Sequence, residues 1–322
     1  MATLSCAVGS LYLVALGATI CLFVPVGAVP TKGSSLQRIY DDSPQVVASK
    51  SDIGEARIVG GSPAGRGKYP YVVPLFNSID PSDVLPVCSG SLITPSVVLT
   101  AAHCIFNIRS AMVGRYDFSV LEEGVQTYTN IQRRFHPGFN ANTFDFDYAL
   151  IKLDRPQPDA KLVHLRRTPE IPSEMTIMGW GATSFEGQQQ PNVMLEANVT
   201  RFDSDQCAFN YDPEQVTENM FCANELNRDA CQGDSGGPII IRGHNVQVGL
   251  VSWGNGCADF VFPGVYARTD SGFEWIQSTV CGDLSPEDCV NDKLPVVDSE
   301  GRARGLTCQD TDGNFLGLGK KL

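Results

Sequence analysis

The sequence predicts an all-β fold closed by one C-terminal helix. Two observations lead there. From Ile58 to Trp253, short apolar runs alternate with turns that carry Gly or Pro. The runs are Tyr71-Val72-Val73, Ser91-Leu92-Ile93, Val97-Val98-Leu99, residues 148–153, Ile239-Ile240-Ile241 and residues 246–253. Many short strands of this kind make a sandwich or a barrel. Beyond them, Phe273, Ile276 and Val280 recur at helical spacing, the signal for the closing helix. With 322 residues, 43% of them hydrophobic, the chain can bury a sizeable core as one large domain or two modest ones.

The two ends have different textures. Residues 7–29 carry no charge, residues 11–24 are strongly apolar, and Val26-Gly27-Ala28 supplies the small residues of a cleavage site. Residues 1–28 therefore read as a signal peptide, although no Lys or Arg precedes the apolar run. The alternative is an uncleaved anchor, since the stretch is just long enough to span a bilayer. Residues 29–57 are polar, lack periodicity and read as a pro-segment. Residues 281–322 are rich in Asp and Gly and poor in aromatics, so a loop-rich or disordered tail is expected. The net charge of −12 argues against nucleic acid as a partner. Eleven cysteines, together with an export signal, place the protein outside the cell, in an oxidising compartment.

Hydrolysis of a peptide bond by serine needs a hydroxyl, a base within hydrogen-bond reach, and a carboxylate to orient that base. It also needs N–H donors for the developing oxyanion. Ser235 lies in Gly233-Asp234-Ser235-Gly236-Gly237-Pro238, where glycines allow a sharp turn and convergent N–H groups. His103 lies in Thr100-Ala101-Ala102-His103-Cys104. The other three histidines, His136, His164 and His244, have no such setting. Asp147 opens Asp147-Tyr148-Ala149-Leu150-Ile151-Lys152-Leu153, but Asp145 lies on the same side of an extended chain, and residue type does not choose between them.

Ile58-Val59-Gly60-Gly61, the Ala-Ala-His-Cys run, the Asp-x-Ala-Leu-x-x-Leu run and Gly-Asp-Ser-Gly-Gly-Pro together resemble the signatures of the chymotrypsin–trypsin family, in its order. The resemblance covers roughly residues 58–280 and implies two six-stranded antiparallel β-barrels with a cleft between them. It selects Asp147 over Asp145. It implies His103 as base, Asp147 as its orienting carboxylate, Ser235 as nucleophile, and the N–H groups of Gly233 and Ser235 as the oxyanion hole. It further implies activation by a cut between Arg57 and Ile58, whose new ammonium pairs with Asp234.

In the family the position of Asp229 is the floor of the primary pocket, and an acid there selects Arg or Lys. Gly254 and Gly264 fall at the wall positions, Ser252-Trp253-Gly254 on the strand that holds substrate backbone, and Tyr211 at the back of the pocket. Ala230 stands where a typical trypsin has serine, which predicts a preference for Arg. Arg115 and Val125 replace expected acidic ligands of the calcium loop and leave only Asp117 and Glu122, so no metal site and no cofactor is expected.

The resemblance pairs Cys88 with Cys104, Cys207 with Cys222, and Cys231 with Cys257. A fourth family bridge is absent, with Met175 and Ile241 in its places. Cys281, Cys289 and Cys308 fall outside the pattern, and Cys289 with Cys308 is the pairing expected among them. Asn198-Val199-Thr200 is the one glycosylation sequon. Polypeptides with Arg or Lys before the cut bond are the expected substrates of a monomeric, secreted enzyme. Protein protease inhibitors are the other expected partners. An inactive binding relative of the same fold is the competing reading, but such relatives usually lose a member of the triad, and this chain keeps all three.

Overall fold

The computed structural model describes residues 58–82, 84–157, 159–184, 189–259, 261–290, 295–297 and 303–305. The first half forms a sheet from Val72–Phe76, Cys88–Thr94, Val97–Thr100, Ser110–Val113, Gln126–Tyr128, Gln132–Phe135 and Ala149–Lys152. Its two end strands are Gln126–Tyr128 and Gln132–Phe135. These are successive stretches of one run of chain, and among the described residues no ladder joins them, so the seven strands form a curled half-barrel. Val98, Leu99, Leu150 and Ile151 are fully buried in one core cluster with Tyr128 and Tyr148, and because adjacent strand residues point to opposite faces, both faces of this sheet are covered.

The second half closes completely. Glu174–Gly179, Leu195–Arg201, Met220–Asn224, Gly264–Arg268, Val246–Trp253 and Pro238–Ile241 each pair antiparallel with the next, and Pro238–Ile241 pairs back onto Glu174–Gly179. Closure removes the exposed edges of an open sheet. Leu195–Arg201 shows the period that drives it, with Leu195, Ala197 and Val199 buried and the residues between them half-exposed. Met175 and Ile241 sit directly opposite each other on neighbouring strands, so two apolar side chains pack where relatives place a bridge. Between Val251 and Trp253 the register with Gly264–Arg268 slips. This bulge frees Ser252 from the ladder and re-aims its side chain.

The helix runs over Thr269–Thr279 and buries Phe273 and Ile276, with Val280 buried just after it. The described part of the chain after it contains regular elements. It makes a turn of π-helix at Val280–Leu284, a short helix at Pro286–Val290, and strands Pro295–Val297 and Ala303–Gly305. Pro295–Val297 lies parallel to His164–Arg166, which itself pairs with the second sheet. The disulfide is Cys281–Cys289, not Cys289–Cys308. The turn and helix bring the Cα atoms of Cys281 and Cys289 to 5.5 Å, inside bridging range. Cys308 lies outside the described residues. The other three bridges are those expected.

A polar network explains why so hydrophilic a segment is ordered. Asp288 is buried and accepts hydrogen bonds from Thr94 (2.6 Å), Ser96 (2.7 Å) and Ser285 (2.8 Å). Lys152 Nζ donates to Ser96 Oγ (2.7 Å) and Ser285 Oγ (2.6 Å). The segment after the helix thus ties to the first sheet through Asp288 and to the second through Pro295–Val297.

In the loop after Ser110–Val113, arginine occupies the surroundings of the two remaining acids. Arg66 contacts Glu122 and lies 3.7 Å from Asp117. Arg115 stands 4.0 Å from Glu122, which also accepts from the N–H groups of Tyr116 and Asp117. Two guanidinium groups supply the positive charge that a metal ion would otherwise bring.

Two outcomes follow for thermal melts. Asp288→Ala leaves buried hydroxyls without their acceptor and should cost about 1–3 kcal/mol, or roughly 2–12 °C in Tm for a domain of this size. An unchanged Tm would mean that the clasp carries no load. Millimolar calcium should leave the wild-type Tm where it is, because an ion that does not bind the native state cannot stabilise it. A rise of several degrees would show a site that these arginines do not exclude.

Candidate active site

The turn after Val97–Thr100 carries His103 beside the buried pair Ala101 and Ala102, and Cys104 anchors it to Cys88. Asp147 is fully buried. One of its oxygens lies 2.8 Å from His103 Nδ1, and the other accepts the backbone N–H of His103 at 3.0 Å. Ser252, aimed by the bulge, donates to the same carboxylate at 2.6 Å. A carboxylate only accepts, so Nδ1 carries the proton and Nε2 keeps its lone pair. Nε2 lies 3.6 Å from the Cys104 sulfur. Asp145 turns elsewhere and accepts from Thr217 (2.6 Å) and Asn219 (2.9 Å). His103 and Ser235 line one cleft of about 240 Å³. The Ser235 hydroxyl forms no hydrogen bond among the described residues, an arrangement common before substrate binds.

The loop around Ser235 is fixed from below. Ser89 N–H donates to the Ser235 carbonyl (2.8 Å), and Ser89 Oγ to the Gly233 carbonyl (3.1 Å). The N–H groups of Gly233 and Ser235 donate to nothing among the described residues. Asp234 is buried beneath them and accepts from the N–H groups of Gly181 (2.8 Å) and Cys231 (3.0 Å). Burial raises its pKa to about 6 against those two donors. A Cβ at Gly181 would overlap both of its carboxylate oxygens, so only glycine allows this approach. Ile58 is buried in the core of the second barrel at a φ of 62°. Arg57 lies outside the described residues.

Asp229 is 3% exposed at the inner end of the cleft. Its oxygens accept from Ala230 N–H (2.8 Å) and Ala258 N–H (3.0 Å). Burial is the main cause that raises its pKa to about 7, the two backbone donors oppose it, and nearby Asp234 adds to it. Gly254, Gly264, Ser252, Trp253 and Ala230 line the same cleft. A Cβ at Gly264 would come within 2.7 Å of an Asp229 oxygen. Tyr211 stands behind this wall rather than in it. Its ring meets Trp253 edge-on at 4.8 Å, and its hydroxyl donates to the Pro263 carbonyl at 2.7 Å.

Two contributions escape a reading of the sequence. The first is Ser252 as a partner of Asp147, because the bulge depends on pairing with a distant strand. The second is Tyr266, fully buried beside Gly264 in the cleft lining, whose hydroxyl has no partner among the described residues. Its position two residues after Gly264 in a strand was the available signal, since alternate residues share a face. Phe144 adds a ring edge-on to His103 at 5.5 Å. Cys88, His103 and Cys104 bring their ligand atoms within 4.8 Å of one another, but the two sulfurs are bonded together and offer no thiolate to a metal. Asn198 is half-buried on Leu195–Arg201, and its amide oxygen accepts from Thr176 at 2.9 Å. No helix among the described residues is long and apolar enough to cross a membrane.

Comparison with known proteins agrees with this architecture. Residues 58–276 match the family described as Trypsin. The chain is 36% identical to Trypsin I-P1 of Gallus gallus over 71% of its own length and 92% of the relative's. It is 35% identical to Cationic trypsin-3 of Rattus norvegicus, over 73% of this chain and 94% of the relative. It is 36% identical to Trypsin of Sarcophaga bullata, over 70% and 89%. With its paired barrels and the cleft between them, the chain belongs to the trypsin family and is a serine endopeptidase.

Proposed function

We propose that the protein is secreted as a zymogen and, once cut after Arg57, hydrolyses polypeptides after Arg or Lys, with Arg preferred. The observation that carries this is the His103–Asp147 pair, which shares its cleft with Ser235 and ends at the buried acid Asp229. Ser235 Oγ attacks the carbonyl carbon while His103 Nε2 takes its proton. Asp147 holds the imidazole in the tautomer that permits this and favours the imidazolium that forms. The N–H groups of Gly233 and Ser235 meet the oxyanion. The intermediate collapses as His103 returns the proton to the departing amine, which leaves an acyl group on Ser235. Water then attacks that ester, His103 takes a proton from it, and Ser235 is regenerated as the acid departs.

Activation follows from the state of Asp234, which has two N–H donors but no cation among the described residues. A cut before Ile58 creates an ammonium of ordinary pKa about 7.7–8.0. Pairing it with Asp234 adds a cation to the two N–H donors and strengthens the hold on the loop that carries Ser235, because a buried charge without a partner is costly. Secretion accords with the apolar residues 11–24 and with four disulfides in the described chain. Protein inhibitors that present Arg or Lys to Asp229 are the expected partners of a monomeric enzyme. Asn198 is the proposed glycan acceptor.

The zymogen reading is tested by labelling Ser235 with an organophosphate. Protein cut after Arg57 should take up label rapidly, and uncut Arg57→Gln protein should take up almost none. Equal labelling would refute activation by this cut. Specificity is tested with substrates that differ only in Arg or Lys before the bond. Arginine reaches a carboxylate with a planar pair of donors, whereas lysine relies on water and neighbouring hydroxyls. Ala230 provides no hydroxyl, so kcat/KM should favour Arg about tenfold, or about 1.4 kcal/mol. Ala230→Ser should narrow the gap by improving lysine. Equal rates, or a ratio unmoved by serine, would refute this account of the pocket.

A further inference from the structure

We propose that Gln190 is a specificity-determining residue for the segment that leaves, favouring small residues immediately after the cut bond. The inference rests on the protease reading above and deepens it. On one side of Ser235 lies the cleft that ends at Asp229. On the other side run Pro86, Val87 and Cys88, with Cys88 bonded to Cys104 next to His103, and Ser89 bonded to the Ser235 carbonyl. The basic side chain of a substrate fills the first side. The departing amine, which His103 must protonate, therefore lies toward the second.

Gln190 reaches across that second side. Its Nε2 donates to the Pro86 carbonyl at 2.9 Å. The same nitrogen lies so near Gly233 that a Cβ on that glycine would overlap it. The carboxamide is thus pressed against the loop that offers the free N–H groups and is tied to the opposite rim. Its anchor is firm, because Pro86 is buried and the next N–H, from Val87, donates to the Leu75 carbonyl of the first barrel at 2.9 Å. A small residue after the cut bond passes beside this strap, whereas a bulky one has to break the Gln190–Pro86 bond. One neutral hydrogen bond corresponds to a factor of roughly two to ten, so the strap discriminates between substrates rather than blocking the cleft.

The test uses the full chain cut after Arg57, as wild type and as Gln190→Ala. Two peptides share every residue up to arginine and continue with glycine or tryptophan. An arginine anilide, which has no amino acid after the cut bond, serves as reference. With kcat/KM normalised to the anilide, wild type should prefer glycine over tryptophan about fivefold. In Gln190→Ala that preference should fall to about twofold or less, chiefly through faster cutting of the tryptophan peptide. Anilide hydrolysis with no wild-type preference, or with a preference that survives Gln190→Ala, overturns the role of Gln190 alone. Failure of the cut protein to hydrolyse the anilide overturns the arginine-specific reading and this proposal together.

Discussion

A carboxylate buried without a cation has to be held by dipoles, and the way Asp234 is held sets the geometry of the site. Its two donors come from different segments, Gly181 at the end of Glu174–Gly179 and Cys231 at the start of the loop. Bonding both at once pins that loop to the barrel, and the N–H groups of Gly233 and Ser235 are unengaged among the described residues. Asp229, five residues before Asp234, is buried as well, and both pKa values are raised. The folded chain therefore binds these protons more tightly than the unfolded chain. Stability from these groups is present at acid pH and is lost as pH rises from about 3.8 through about 6 and 7. The Cys231–Cys257 bridge closes the same region and offsets part of this cost, with disulfides typically contributing about 2–4 kcal/mol.

What could be read in the sequence is what local backbone dictates. The Gly-rich run around Ser235 and the Ala pair before His103 express short-range geometry, whereas the role of the acid six residues before the serine came from the family resemblance. The choice between Asp145 and Asp147 shows where that reasoning stops. On an extended chain the two share a side, but Phe144 and Phe146 take φ values of 58° and 50°. The segment is therefore not extended, and the two carboxylates meet different partners. The order of residues 281–290 has a related cause, since it comes from Thr94, Ser96 and Lys152, residues that lie more than a hundred positions earlier. The expected pairing of Cys289 with Cys308 likewise gave way to Cys281 with Cys289, which only the turn after the helix brings together.

The cleft is assembled from both barrels, so their alignment matters. His103 and Asp147 come from the first, and Ser235 and Ser252 from the second. The Ser252–Asp147 hydrogen bond crosses directly between them. The segment after the helix spans the same division elsewhere, with Asp288 on one sheet and Pro295–Val297 on the other. These ties, together with the Ser89 bonds to the Ser235 and Gly233 carbonyls, hold the halves of the site in register.

Ile58 has the torsion of a residue that resists its own backbone. A β-branched side chain at φ 62° is an outlier, and such conformations cost about 1–3 kcal/mol. The angle is defined by the carbonyl carbon of Arg57, so a cut between the two residues removes the torsion itself. Resealing the bond would mean winding it back. On the activation proposed above, that relief would favour the severed chain by the factor of about 5–150 to which about 1–3 kcal/mol corresponds, and would give activation the character of a ratchet.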